Sequence, residues 1–167
     1  LSSLSASSSS SSLIPASPSS FSGTISASDM SSNTSEGMLV SSISQQLQTL
    51  QKDTKVISST GFNSRELMYL RDKYKITNSK DFYMVGGMGH TTSVALGYSL
   101  SSKKKIICID GDGSLLMHLG SIKTVGTFAN KNFKYILLNN NSHDSVGGQK
   151  TYANDINFEK LSKSLGF

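Results

Sequence analysis

The sequence has no tryptophan, a single cysteine and only two prolines among its 167 residues. One cysteine, Cys108, excludes a disulfide framework within the chain, and its position inside an apolar run predicts that it is buried in the core. No apolar run approaches the roughly 18 residues that a membrane-spanning helix needs. The N-terminus also lacks the charged and apolar regions of a secretory signal. We therefore expect no membrane partner and a cytoplasmic location, with organelle targeting by the N-terminal segment as the open alternative.

Basic residues are absent before Lys52, and residues 1–36 contain 18 serines. A segment with so few large apolar side chains does not bury enough surface to offset the entropy lost on ordering. We predict that residues 1–36 are a disordered, Ser-rich, low-complexity segment and that residues 38–167 form one domain. Because the sequence begins with Leu1 rather than Met and stops just after a predicted helix, we expect a fragment, truncated at the C-terminal end of the domain.

The charge of the domain is positive. All 16 basic residues lie from Lys52 onward, where nine acidic residues oppose them, so this part carries 16 less 9, or +7. A charge of this size is common in nucleic-acid-binding proteins. The basic residues are scattered, however, and residues 103–105 form their only tight run. We therefore expect no nucleic-acid partner, and a diffuse positive field that helps an anionic substrate to approach.

Short apolar segments alternate with segments of helical periodicity along the domain. Strands are predicted at residues 55–59, 81–85, 105–109 and 133–138. Helices are predicted at residues 38–51, 65–71, 90–100, 114–129 and 158–165. This alternation is typical of an α/β fold with a parallel sheet flanked by helices.

A polar or glycine-rich loop follows each predicted strand, at the sheet edge where parallel α/β folds bind ligands. Two of these loops carry metal-binding chemistry: Gly111-Asp112-Gly113-Ser114 and Asn139-Asn140. A lone Gly-Asp-Gly is more often a tight turn in which the aspartate caps a helix. Together, however, the carboxylate of Asp112 and the amide oxygen of Asn140 suit magnesium, with phosphate oxygens and water completing the octahedral shell. Backbone amides at the start of the following helix would suit a diphosphate.

The two motifs together resemble the cofactor-binding motif of thiamine diphosphate enzymes. The likeness is closer still to phosphonopyruvate decarboxylase and sulfopyruvate decarboxylase, through SSTGFNSREL at residues 58–67, VGGMGH at residues 85–90 and HDSVGGQ at residues 143–149. The resemblance covers residues 39–167. It implies the diphosphate-binding domain of that fold, with thiamine diphosphate and Mg²⁺ as cofactors.

The resemblance implies a role for each matching residue. Asp112 and Asn140 would bind magnesium, with the backbone carbonyl of Ser142 as the third protein ligand. The residues that would contact the cofactor are Thr60, Gly61, Gly86, Met88, Gly111, Asp112, Gly113, Ser114 and Asn140. Among these, Gly113 would offer an amide and Ser114 a hydroxyl to the diphosphate. Met88 would lie beneath the cofactor and enforce its bent conformation, with core packing as the alternative.

The chain departs from the family pattern at one place. Relatives often have Gly-Ala where this chain has Asn141-Ser142, and a ligand that is a backbone carbonyl tolerates this change.

His90 and His143 lie in strand-end loops and are the candidate catalytic residues, because a histidine near neutral pH can transfer a proton or hold an anion. We interpret His118, in the middle of a predicted helix, as structural.

The glutamate that these enzymes place against the pyrimidine ring has no match in the sequence. Glu66 and Glu159 are the glutamates of the domain, and both lie on predicted helices whose context differs. The resemblance therefore implies that a pyrimidine-binding domain supplies this residue, either on the same full-length chain or on a separate subunit, in a homo- or hetero-oligomer.

The resemblance thus implies the cofactor-binding half of a 2-oxo acid decarboxylase. The first expectation is conversion of phosphonopyruvate to phosphonoacetaldehyde and CO₂, a reaction of phosphonate biosynthesis. The alternative within enzymes is a subunit of sulfopyruvate decarboxylase. An alternative of a different class is an inactive remnant that serves as a binding or assembly module, which the missing glutamate would favour.

Overall fold

The computed structural model describes the backbone of Thr24–Ser26 and all atoms of residues 54–76 and 80–167. The helix predicted at residues 38–51 lies outside the described residues. In the parts of the chain that are described, no helix is long and apolar enough to cross a membrane.

A parallel sheet of five strands forms the centre of the fold, in the order β1-β5-β4-β2-β3. The strands are β1 (Thr24–Ser26), β2 (Thr54–Ser58), β3 (Phe82–Tyr83), β4 (Lys105–Gly111) and β5 (Phe133–Asn139). The helices are α1 (Phe62–Lys73), α2 (Thr91–Ser101), α3 (Asp112–Met117), α4 (Gly120–Phe128) and α5 (Phe158–Leu165). The predicted α/β class with a parallel sheet flanked by helices is confirmed.

Helices cover both faces of the sheet, so the central strands are almost continuously apolar. Along β4, Ile106 and Cys108 face one apolar cluster, whereas Ile107 and Ile109 face the other. The first cluster includes residues of α2, α4 and α5, and the second includes Leu67 and Leu70 of α1. Cys108 is a free, fully buried thiol, as its apolar setting predicted.

The crossover between β4 and β5 differs from the prediction of one helix at residues 114–129. It consists of two helices, because α3 ends at Met117 and α4 begins at Gly120. Gly120, at the break, has a lower helix propensity than most residues. The break also packs closely against Gly89, because a Cβ atom built on Gly89 would lie 2.9 Å from the Cβ of His118. His118 is therefore an exposed residue at a helix end, and its placement in the middle of a helix was wrong.

The strand predicted at residues 81–85 is shorter in the structure and lies at the edge of the sheet, as Phe82–Tyr83. The chain leaves the sheet as it approaches Gly86 and Gly87, whose φ angles of 74° and 64° suit glycine rather than an extended strand. At the opposite edge, Thr24–Ser26 pair with residues 137–139 of β5. These three residues are an exception to the disorder predicted for residues 1–36. The rest of that segment lies outside the described residues, so the domain boundary stays a prediction.

An ion pair ties the edge strand β3 to α1. The Arg71 guanidinium donates two hydrogen bonds to the Asp81 carboxylate, of 2.8 and 3.2 Å. The side chains are 9% and 1% exposed, respectively. The hydroxyl of Tyr83 lies 3.4 Å from the same carboxylate. Burial, and next the negative charge of Asp81, raise the pKa of Tyr83 to about 12. The pair therefore anchors the start of β3 to α1.

We expect Arg71→Met to lower the free energy of unfolding by about 3–5 kcal/mol, because it leaves the Asp81 carboxylate buried without its cation. The control is Arg65→Met on the same helix, where the side chain is exposed and lies over the ring of Phe62. This control is expected to cost no more than about 1 kcal/mol. Denaturant unfolding measures both, and equal losses would contradict a structural role for the buried pair.

Candidate functional site

One cavity of about 310 Å³ lies at the carboxyl ends of the central strands. Each of the four loops singled out in the sequence contributes to its wall. The predicted site residues that line the cavity are Thr60, Met88, Gly111, Asp112, Gly113, Ser114, Asn140, Ser142 and His143. Gly61, Gly86 and His90 are not in the lining, although each is next to or near a residue that is.

Asp112 is the first residue of α3 and is only 2% exposed. Its Oδ2 atom accepts a hydrogen bond from the hydroxyl of Thr151. This bond holds one carboxylate oxygen in place and leaves Oδ1 to turn toward a cation, while Oδ2 keeps a lone pair of its own. The sequence did not single out Thr151, which lies 39 residues further along the chain.

Local contacts fix the orientation of the Asn140 amide. Its Nδ2 group donates to the Asp144 carboxylate at 2.7 Å, and its Oδ1 atom lies 3.2 Å from the amide nitrogen of Ser142. Asn139 makes the equivalent contact one residue earlier, accepting from the amide of Asn141 at 3.0 Å. The chain passes through Asn141 with a φ of 58°, a conformation that asparagine tolerates better than most residues. Asn140 therefore presents its amide oxygen, and not its NH₂ group, away from Asp144.

His143 packs directly against Gly113. A Cβ atom on Gly113 would clash with Cε1 and Nδ1 of the imidazole, so no side chain fits there without moving the ring. The Nδ1 atom of His143 is buried and has no hydrogen-bond partner among the described residues. Gly113 thus allows the imidazole to lie directly against the start of α3.

Two hydrogen bonds hold the glycine-rich turn that carries Met88. The amide of Gly86 donates to the hydroxyl of Thr60 at 3.3 Å, and the amide of Gly89 donates to the hydroxyl of Ser114 at 2.9 Å. These contacts tie the turn to the end of β2 and to α3. Met88 lies in the cavity wall, whereas Gly86 is exposed and lies outside the lining.

A buried carboxylate, Asp110, lies beneath the motif. It is fully buried and accepts from the Tyr135 hydroxyl at 3.1 Å and from the Gly111 amide at 3.0 Å. Burial raises the pKa of Asp110, and hydrogen bonds from Ser114, Tyr135, Gly111 and Ser59 oppose that rise. The Ser114 hydroxyl therefore already has Asp110 and the amide of Gly89 as partners. The contact of this hydroxyl with a diphosphate stays a prediction, and the Ser114 amide is a second group that could reach a ligand. A charged residue inside an apolar strand was the signal in the sequence that could have identified Asp110.

His90 lies outside the cavity wall. Its side chain is exposed, its Nδ1 atom is 3.2 Å from the carbonyl oxygen of Met88, and its ring centroid is 5.1 Å from that of His118. The pairing of these two histidines was not predicted. A direct role of His90 in catalysis stays a prediction.

The cavity is acidic. In the described part of the chain its lining includes three carboxylates, Glu66, Asp112 and Asp144, and no lysine or arginine. A diphosphate here would lie close to these carboxylates, and a cation that accompanied it would lower the repulsion between them. Glu66 and Asp144 are lining residues that the sequence did not single out as such.

The oxygen atoms around the cavity suit magnesium. Among the described residues, no group of three or more His, Cys, Asp or Glu side chains could hold a metal. A cation here would have one carboxylate, one amide oxygen and a backbone carbonyl from the chain. Magnesium accepts such a sparse protein set because it usually keeps waters and takes its remaining ligands from phosphate groups.

The comparison with known proteins agrees with this geometry. Residues 45–167 match the model of the family described as thiamine pyrophosphate enzyme, C-terminal TPP binding domain. The chain belongs to this family. The match includes every residue that lines the cavity.

The individual relatives carry two names. This chain is 38% identical over 128 residues to a phosphonopyruvate decarboxylase of Streptomyces viridochromogenes, and the match covers 77% of this chain and 31% of the relative. It is 39% identical over 112 residues to sulfopyruvate decarboxylase subunit beta of Methanocaldococcus jannaschii, covering 66% of this chain and 57% of the relative. The chain is also 39% identical over 116 residues to sulfopyruvate decarboxylase subunit beta of Methanothermobacter thermautotrophicus. This match covers 70% of the chain and 60% of the relative. The TPP-binding domain thus spans about a third to about three fifths of these relatives.

We expect Gly113→Ala to weaken the binding of thiamine diphosphate about tenfold or more, a loss of roughly 1.4 kcal/mol, because the methyl group displaces His143 into the cavity. The control is Gly97→Ala in α2, where a Cβ atom meets nothing within 4 Å. This control should leave binding unchanged and stabilise the helix by about 0.5–1 kcal/mol. Calorimetric titration and thermal unfolding of the complete protein measure the two effects. Unchanged affinity in Gly113→Ala would contradict a role in cofactor binding for the start of α3 and the His143 ring packed against it.

Proposed function

We propose that this chain is the cofactor-binding half of a thiamine diphosphate-dependent decarboxylase that acts on a 2-oxo acid with an anionic phosphonate or sulfonate group. One observation carries the proposal: Asp112, Asn140 and Ser142 line the same acidic cavity, in a chain of the TPP-binding family. The names of the relatives supply the reaction and the substrate class.

The residues of the cavity would divide the binding of the cofactor between them. Asp112, Asn140 and the carbonyl of Ser142 would hold Mg²⁺, and this cation would neutralise the diphosphate. The amides of Gly113 and Ser114, in the first turn of α3, have no acceptor within the helix and would donate to phosphate oxygens. Because His143 lies against Gly113, its buried Nδ1 would be a further donor at the same end.

The opposite wall would orient the organic part of the cofactor. Met88 projects into the cavity from a turn held at both ends, so its side chain can support the bent conformation that the resemblance implies. Thiamine diphosphate, when bound, supplies a nucleophilic carbon and an electron sink for the loss of CO₂. The protein would exclude water around that carbon and keep the substrate in place.

A second polypeptide segment would complete the active site. Glu66 lines the cavity, but it lies on α1 beside Phe62 and Asn63, at the wall that follows β2. The glutamate that promotes cofactor activation in such enzymes would come from a pyrimidine-binding domain. Two relatives are named subunit beta, which supports an assembly of more than one subunit. We propose a homo- or hetero-oligomer in which this domain lies on the same full-length chain or on a separate subunit.

Phosphonopyruvate is the first substrate to test and sulfopyruvate is the alternative. The two relatives are equally similar, at 38% and 39% identity, so identity does not separate them. Both substrates combine a 2-oxo acid with a second anionic group, and the positive charge of the domain would favour the approach of either.

We expect Asp112→Asn to weaken the magnesium-dependent binding of thiamine diphosphate about 10- to 100-fold, or roughly 1.4–2.8 kcal/mol, because the only carboxylate ligand loses its charge. The matched control is Asp72→Asn, an exposed aspartate on α1. Calorimetric titration of the assembled enzyme with and without Mg²⁺ provides the measurement. Wild-type affinity in Asp112→Asn would refute the assignment of the metal site.

We expect the 167-residue chain alone to release no CO₂ from phosphonopyruvate or sulfopyruvate, and the assembled enzyme to release it from one of them. The physical reason is that the activating glutamate would lie on the other half. Glu66→Gln is the control, and it should leave the turnover of the assembled enzyme within a few-fold of wild type. Turnover by the isolated chain that Glu66→Gln abolishes would show that this chain holds its own glutamate. An assembled enzyme that binds the cofactor but turns over neither substrate would favour the inactive remnant.

A further inference from the structure

The loop after β5 folds back on itself as a short hairpin. The amide of Thr151 donates to the carbonyl of Asn141 at 3.2 Å, and the amide of His143 donates to the carbonyl of Gln149 at 2.8 Å. Between these bonds, Ser142 and Lys150 form an antiparallel bridge. One arm of the hairpin therefore carries the proposed metal-site residues, and the other arm holds Thr151 opposite them through the main chain.

The side chain of Thr151 is directed at Asp112. Its hydroxyl has one proton and three polar neighbours: Oδ2 of Asp112, Oδ1 of Asn141 at 3.4 Å and the amide of Ala153 at 3.4 Å. Of the two oxygen acceptors, a carboxylate accepts a stronger hydrogen bond than an amide oxygen does. The proton therefore goes to Asp112, and the hydroxyl oxygen accepts from Ala153.

Among the described residues, Thr151 is the side chain that donates a hydrogen bond to the Asp112 carboxylate. Asp112 is the first residue of α3 and lies between two glycines, so its neighbours in the chain offer it no side-chain contact. The bond from Thr151 fixes one oxygen, so the plane of the carboxylate and the direction of the other oxygen are set from the far arm of the hairpin. Groups that orient a metal ligand in this way commonly change metal affinity 10- to 100-fold when they are removed.

We propose that Thr151 is a positioning residue that orients the Asp112 carboxylate toward the metal of the diphosphate site. The inference rests on the proposed function, because it takes Asp112 as the metal ligand. It adds a residue that the resemblance did not include, and it links the closing of the hairpin to the strength of the metal site. Since main-chain bonds hold the hairpin independently, the loss of the hydroxyl alone should leave the loop in place.

Three variants of the assembled enzyme test the proposal. Thr151→Val replaces the hydroxyl with a methyl group of nearly the same size, and Thr151→Ser keeps the hydroxyl. The matched control is Thr127→Val on α4, where the exposed hydroxyl donates to the carbonyl of Lys123 at 2.8 Å and the residue is not part of the cavity lining. The main readout is the affinity for Mg²⁺ by calorimetry at saturating thiamine diphosphate, with Mn²⁺ binding by electron paramagnetic resonance as a second probe. Thermal unfolding without metal or cofactor measures any general loss of stability.

The proposal predicts that Thr151→Val weakens the affinity for both metals about 10- to 100-fold. Thr151→Ser should stay within a few-fold of wild type, and Thr127→Val should match wild type. If Thr151→Val and Thr127→Val bind metal equally well, or if Thr151→Val lowers only the metal-free stability, Thr151 is structural and the inference is wrong. If wild type itself binds no metal with thiamine diphosphate, the proposed function fails instead. The double variant Asp112→Asn/Thr151→Val tests the positioning role directly. Once the Asp112 carboxylate is lost, Thr151→Val should cause no further loss of metal affinity.

Discussion

The parallel register of β4 and β5 is the constraint on which the rest of the site depends. Gly111 at the end of β4 lies opposite Leu138, so both strands end at almost the same level of the sheet. Asp112 directly follows β4, and Asn140 directly follows Asn139, the last residue of β5. The two side chains therefore leave the same edge of the sheet next to each other. A shift of register would separate the carboxylate from the amide by the rise of a residue, about 3.3 Å, which is more than a metal–oxygen bond length.

Buried polar contacts then convert this register into a fixed arrangement of loops. Asp110 receives hydrogen bonds from Tyr135 on β5 and from groups at the ends of β2 and β4. Through Ser114 the same network reaches the amide of Gly89 and so the turn of Met88. The raised pKa of Asp110 shows that burying this carboxylate is unfavourable in itself. We infer that the chain tolerates this destabilisation because the network joins three loops beneath one cavity, where an apolar residue would join none.

The sequence predicted the elements of the fold better than the contacts of the site. Apolar runs and helical spacing located four strands, and the motif spacing placed Asp112 and Asn140 at neighbouring strand ends. The break near Gly120 was missed because periodicity does not include the close approach of His118 to Gly89, a residue more than 25 positions earlier. Thr151 and Asp144 were missed for a related reason. Each forms a hydrogen bond across a loop or between strand ends, and no local pattern in the sequence marks that bond. Asp110 differs from these two, because a charged residue inside an apolar strand is a local signal that could have identified it.

The charge of the cavity determines how binding must proceed. The domain as a whole is positive, which favours the approach of anions, yet the cavity wall in the described residues contains carboxylates and no lysine or arginine. Under the proposed function, long-range attraction would bring a diphosphate near, and a cation in the oxygen set would lower its repulsion from the carboxylates of the wall. It follows that metal and cofactor should bind cooperatively, each raising the affinity for the other by the same factor. An arginine in the wall would neutralise a diphosphate without metal. The described part of this wall has none, so under the proposed function the oxygen ligands and their orientation would determine the affinity for the cofactor.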